Sequence, residues 1–163
     1  MNERLRPAVA AAMLLAMWAC ARPAPEPATP EQIIALERGA LDRWGNGDVH
    51  GFFEIMADDI TYFDPNLDQR LDGIAAIRKY IEPFQGKIKI DRYEFINPKV
   101  QAIGDVAVLT FNLVNYRRQP DGSEVVANRW NSTEAYRRIN GSWKITHSHW
   151  SNVRPVPART SPE

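Results

Sequence analysis

Residues 57–80 read ADDITYFDPNLDQRLDGIAAIRKY, and the layout of the whole chain depends on how this stretch is parsed. β-Branched Ile60 and Thr61 and aromatic Tyr62 and Phe63 predict a short strand over 60–63 that ends at Asp64-Pro65. A turn-rich loop then leads through Asp72-Gly73 into a helix over 74–82, which stops at Pro83. This parsing leaves one carboxylate, Asp64, at the end of an apolar strand, a setting suited to a general base. Asp-Pro also initiates turns, so a purely structural role is open to the same residue.

Upstream of this stretch the period is helical. Thr29-Pro30-Glu31-Gln32 has the form of a capping box with proline at the first helical position. Ile33, Leu36, Ala40, Leu41 and Trp44 then recur on one face until Gly45-Asn46-Gly47 ends the run. Asp48 is placed to cap a second, short helix whose apolar face holds Phe52, Phe53 and Met56.

Downstream the period changes to two, which predicts strands over about 88–97, 106–118, 125–139 and 142–153. Pro120-Asp121-Gly122 and Asn140-Gly141 are hairpin signals between consecutive strands. Strands this long must twist and curl, leaving a concave face that helices fill only in part. The expected fold is α+β: a cone-shaped, strongly bent antiparallel sheet wrapped on about three N-terminal helices.

Composition narrows the function classes. The chain has 163 residues and 44% hydrophobic content, enough for one core. Twenty basic and twenty acidic residues balance, and neither sign runs beyond a pair, so nucleic acid is not an expected partner.

Residues 1–20 differ from the rest. Arg4 and Arg6 precede an apolar run over 7–19, too short to span a bilayer and shaped like an export signal. Two cleavage readings stand: the small-x-small rule at Ala19-Cys20-Ala21, and a lipobox-like Met17-Trp18-Ala19-Cys20 that makes the sole cysteine, Cys20, a lipidation site. A proline-rich tether over 21–29 follows, then a domain over 30–153 and a flexible tail over 154–163. Localisation is expected to be exported and periplasmic, with membrane contact only through the lipid. With one cysteine the chain forms no internal disulfide.

Two local resemblances carry further expectations. Asp58, Asp59, Thr61, Asp64, Pro65, Gly73, Ile77 and Arg78 resemble the context of the general-base aspartate of ketosteroid isomerases, and Trp150-Ser151-x-Val153 resembles the end of their last strand. Asn46-Gly47-Asp48, Asn97-Pro98, Ile103-Gly104, Tyr116, Arg138, Gly141-x-Trp143-Lys144 and His147-x-His149 are similar to the association domain of calcium/calmodulin-dependent kinase II. Together they place residues 31–153 in the nuclear transport factor 2-like superfamily, which includes SnoaL-like domains. The resemblance implies Asp64 as base and Trp150 as a pocket residue. It also aligns the isomerase's oxyanion-hole tyrosine with Ala40 and its protonated aspartic acid with Trp130, while the kinase domain's anion-binding arginines fall at Asn112, Glu134 and Trp150.

Strand alternation supplies the remaining candidates. Trp130, Ser132, Glu134 and Tyr136 share one face, as do Trp150, Ser148 and Thr146, and Asn112, Val114 and Tyr116 share one on the strand over 106–118. Asp64, Glu134 and Tyr116 are therefore the catalytic candidates, with Tyr62, Asn112, Trp130, Tyr136 and Trp150 as substrate-binding candidates. Glu134 has the alternative of an ion pair with Arg129, Arg137 or Arg78. His147 and His149 fall on the opposite, outer face, where i, i+2 spacing suits a subunit interface better than a metal, and no metal is expected. No cofactor motif appears. The expected activity is a cofactor-independent lyase or isomerase acting by carboxylate acid/base chemistry on a small aromatic or polycyclic compound, in a homodimer or larger homo-oligomer. The alternative is a non-catalytic binding or oligomerisation module.

Overall fold

The computed structural model describes residues 30–154. The leader, Cys20, the tether, the Thr29 cap and residues 155–163 lie outside the described residues. Three helices and a short 3-10 turn accompany a six-stranded sheet, two of whose strands come before α3: α1 (Pro30–Gly45), α2 (His50–Ile55), β1 (Met56–Phe63), β2 (Leu71–Asp72), α3 (Ile74–Ile81), the turn Glu82–Phe84, β3 (Arg92–Ile103), β4 (Val106–Arg118), β5 (Glu124–Ile139) and β6 (Ser142–Asn152).

α1 buries Ile33, Ala40 and Leu41 along one stripe, and Gly47, at φ +85°, turns the chain out of it. Arg43 in its last turn braces α2 by bonds of 2.6 and 3.0 Å to Glu54 and 2.7 Å to Asp48. The Asp48 carboxylate accepts the His50 N–H at 3.0 Å, one residue ahead of Val49, which takes the N-cap position expected for Asp48. Phe52 and Phe53 are buried as anticipated, whereas Met56 belongs to β1. That strand starts earlier than the 60–63 predicted, because Met56 and Ala57 are buried ahead of exposed Asp58 and Asp59.

The sheet order is β2-β1-β6-β5-β4-β3. β3 to β6 form the expected antiparallel meander, with Asn140 (φ 50°) and Gly141 (φ 85°) in the left-handed conformations that a two-residue hairpin needs. The sheet is nonetheless mixed, not wholly antiparallel. β1 runs parallel to β6, with Thr61 opposite His147, Tyr62 opposite Ser148 and Phe63 opposite His149. The α3 segment and the meander together form the long crossover that parallel pairing requires. This pairing brings Asp64, just past β1, to the same end of the sheet as Trp150.

Register shifts bend the sheet in β1, β3, between β4 and β5, and between β5 and β6. On β3 the shift holds Asn97 (φ 48°) and Pro98, so the strand continues to Ile103 where 97 was the expected end. β3 is an edge strand, which is where a residue lacking an N–H costs least. Its start is also later than expected: residues 88–91 precede the strand, and Ile88 and Ile90 turn toward the interior.

Candidate active site

Between the helices and the concave face lies a cavity of about 240 Å³. Leu41, Trp44 and Phe52 close it from α1 and α2, Ile81, Phe84, Ile88 and Ile90 from the α3 side, and Leu113, Asn115, Trp130, Ser148 and Trp150 from the sheet. Tyr62, Asp64, Pro65, Asn66 and Tyr80 complete it at the end of β1.

Asp64 is held by four donors. The Tyr62 hydroxyl donates to Oδ2 at 2.7 Å, and the Tyr80 hydroxyl to Oδ1 at 3.2 Å. Asn66 gives Oδ1 its backbone N–H at 2.8 Å and its side-chain amide at 2.9 Å. The Asn66 contacts form the turn that Asp-Pro announces, so Asp64 shapes the loop as well as facing the cavity. Oδ2, with one donor, keeps lone-pair capacity for a proton. Burial and then the charge of Asp64 raise the Tyr62 hydroxyl well above the ordinary tyrosine range, and the same causes raise that of Tyr80. Both therefore act as donors at neutral pH.

Trp130 and Trp150 stand in the wall as expected, edge to face with centroids 6.1 Å apart. Phe111 meets Trp150 at 5.4 Å and Phe95 meets Phe111 at 4.6 Å, so an aromatic row crosses β3, β4, β6 and β5.

Glu134 is fully buried, but behind the wall. Its Oε1 accepts the Ser132 and Ser148 hydroxyls, each at 3.0 Å, and Ser148 is the member that reaches the cavity. Burial first, then the charge of Glu37, pushes Glu134 well above the usual carboxylate range, while donors from Ser132, Ser148 and Trp150 act against that. None of the three arginines offered for it is its partner: Arg137 binds Asp59 at 3.0 Å, Arg78 lies over the Phe53 ring at 4.4 Å, and Arg129 has no bond to it among the described contacts.

Three candidates do not reach the cavity. Tyr136 is fully buried beneath α1, where its hydroxyl donates to Glu37 at 2.5 Å. Asn112 points to the outer face and donates to Asn131 at 2.6 Å. Tyr116 lies under the Arg92 guanidinium, 3.7 Å from its ring centre. For Asn112 the reason is parity: Leu109, Phe111 and Leu113 are the inward set on β4, which sends Asn112 outward. Thr146, expected inward, is the extra residue of the β5–β6 bulge, and Ile145 and Trp143 are buried in its stead.

His147 and His149 are on the outer face as predicted. The His147 ring pairs with the Thr61 hydroxyl at 2.8 Å, and Phe63 meets both rings, at 5.8 and 5.5 Å. Burial, then the charge of His149, lowers the pKa of His147. Among the described residues no group of three potential ligands is gathered for a metal.

Sequence reasoning passed over Glu37, Tyr80, Asn66 and Asn115. The signal for Glu37 was present: it sits four residues from both Ile33 and Leu41, an acid on the apolar stripe of α1. Burial raises its pKa from 4.5 to about 7, with the Tyr136 bond acting in the opposite direction.

Comparison with known proteins agrees with this architecture. The SnoaL-like domain model matches residues 35–156. No curated protein matches the chain. A candidate ketosteroid isomerase from Parabacteroides distasonis is 40% identical over 78% of this chain and 90% of its own, with a TM-score of 0.68. An NTF2-like protein of unknown function from Pseudomonas putida is 26% identical over 80% and 89%, at TM-score 0.64. The association domain of C. elegans CaMKII is 22% identical over 74% and 93%, at 0.63, which shows a shared fold. By the extent of these matches the chain belongs to the SnoaL-like domain family and has the NTF2-like fold.

Proposed function

We propose that the chain is an exported, cofactor-independent lyase or isomerase that moves a proton on a small aromatic compound. The observation that carries this reading is Asp64, set at the cavity rim with its carboxylate oriented by Tyr62 and Tyr80. In this reading Oδ2 of Asp64 removes a proton from carbon. Trp130 and Trp150 hold the ring beside it. Ser148 gives its hydroxyl proton to Glu134 and so presents the ligand with an acceptor. The 40% identical candidate ketosteroid isomerase supports the reaction class. A volume of about 240 Å³ is below the roughly 300 Å³ at which drug-sized pockets begin, which favours one or two rings over a larger polycycle. The charged start and apolar run of residues 1–20 support export, and Cys20 a lipid anchor.

The test is mass spectrometry in heavy water on the chain and its Asp64→Asn variant, each incubated with a panel of aromatic ketones and alcohols. Deuterium uptake, or loss of water or formaldehyde, is expected from the wild type and not from the variant. Equal turnover by both would sink the assignment of Asp64 as base.

Self-association through the outer sheet face accompanies this reading. Phe63 is 42% exposed there between His147 and His149. Analytical ultracentrifugation is expected to give a dimer that Phe63→Glu dissociates.

A further inference from the structure

Asn115 is 6% exposed and stands in the cavity wall, and its Oδ1 is buried with no hydrogen-bond partner. Buried side-chain polar atoms are paired in the great majority of cases, so an orphan in a ligand-sized cavity calls for an explanation. Among the described residues with such an orphan atom, Asn115 is the one that lines the cavity. A structural role is at hand and is not taken. The register shift between Asn115 and Tyr116 frees backbone groups of the kind asparagines bond, yet Asn115 makes no bond to them.

Its position bears on what the amide is for. Asn115 is on β4 and Asp64 follows β1, with β6 and β5 between these strands. The two residues are thus three strand spacings apart, about 14 Å across the strands, and Asn115 lies four residues further along β4 than Phe111, the residue level with Trp150. The intervening wall is apolar, formed by Leu113, Trp130 and Trp150. A ligand that fills the cavity from Asp64 turns its far end toward Asn115.

We infer that the ligand carries a hydroxyl, or an equivalent group able to donate a hydrogen bond, at the end remote from Asp64, and that Asn115 is the residue that selects it. This rests on the cavity being the substrate site. A hydroxyl both donates and accepts, so it satisfies the carboxamide in either orientation of its oxygen and nitrogen. An apolar ligand leaves the amide oxygen unpaired, whereas a hydroxylated one supplies the missing bond, and the difference is the selectivity.

The experiment is calorimetric titration of the full chain and its Asn115→Leu and Asp64→Asn variants with 2-naphthol and with its isostere 2-methylnaphthalene. The preference for 2-naphthol over the methyl compound is expected to fall by about tenfold in Asn115→Leu, the worth of one buried hydrogen bond, and to persist in Asp64→Asn. Asn115→Leu is also expected to melt no lower than the wild type, because it removes an unpaired acceptor and breaks no bond; a structural amide would lower the melting temperature. If leucine does not fold, Asn115→Ala serves in the same comparison. An unchanged preference in the Asn115 variant, or a preference lost only in Asp64→Asn, overturns the inference while leaving the cavity as the binding site. Failure of the wild type to bind either compound overturns both.

Discussion

The Tyr136 hydroxyl on β5 donates to Oε2 of Glu37 on α1 at 2.5 Å, joining helix and sheet across 99 residues of chain. Behind the cavity this places two fully buried carboxyl groups, Glu37 and Glu134, close enough that the charge of one raises the pKa of the other. Each keeps one oxygen without a partner, Oε1 of Glu37 and Oε2 of Glu134. The pair is tolerated because burial raises the pKa of both members, which lets a proton replace a buried charge.

Stability should therefore fall as pH rises. In the unfolded chain Glu37 loses its proton near 4.5, and in the folded protein near 7. Between these values the native state holds a proton that the unfolded state has released, so each step up in pH favours unfolding. The loss is about 3 kcal/mol from Glu37 across this window and levels off above it. Glu134, also raised by burial, adds a decline of the same sign. Urea denaturation at pH 5 and pH 8 reads the effect. Glu37→Gln should flatten the profile and stabilise the protein at pH 8, and an unchanged slope in that variant would count against a proton held at Glu37.

Tyr62→Phe removes the one donor on Oδ2 of Asp64 while keeping the ring in the wall. Proton exchange into substrate should slow by about tenfold, the loss of a hydrogen bond to a charged group, with KM little changed. Tyr80→Phe should cost less, since Oδ1 retains both Asn66 donors. Equal effects in the two variants would show that Oδ2 is not the proton-accepting oxygen.

Gly47 ties the end of α1 to the cavity wall. A Cβ added there would sit 3.0 Å from the Ile88 carbonyl oxygen and 3.2 Å from the Gly86 Cα, on a backbone at φ +85°. Gly86, at φ +73°, has open space around its missing Cβ. Gly86→Ala should destabilise by about 1 kcal/mol from backbone strain alone, and Gly47→Ala by about 2 kcal/mol or more because the contact adds to the strain. The larger loss should come with weaker binding of an aromatic probe, since Ile88 is displaced. Thermal melts and one binding isotherm for each variant suffice, and identical losses would dismiss the contact.

Trp150 links the aromatic row to the site. Trp150→Ala removes its edge contacts with Phe111 and Trp130, and should cost about 2 kcal/mol of stability with near-complete loss of aromatic ligand binding. Trp150→Phe should recover most of the stability and part of the binding. Full binding by the alanine variant would place the ligand elsewhere.

Much of this arrangement was legible in the chain itself, and the legible part has a common cause. The two-residue period of β4 to β6, the Asn140-Gly141 hairpin, the shared face of Trp130, Ser132, Glu134 and Tyr136, and the apolar stripe of α1 all follow from backbone geometry over a few residues. Asp64 could be marked from its place after an apolar strand. Depth and direction could not be read in that way. Valines at 106, 108 and 114 make both faces of β4 apolar, so only packing against the helices chose Leu113 and Asn115 for the cavity over Asn112. The bulge at Thr146 reverses alternation within one strand, and the parallel pairing of β1 with β6 joins residues more than eighty apart. The burial of Glu37 beneath Tyr136 likewise exists only once helix and sheet have met. Local sequence determined which elements form and which side chains share a face, because those depend on neighbours along the chain. Tertiary structure decided which face is the inside and which acids lose their water, because those depend on surfaces that the chain brings together only on folding.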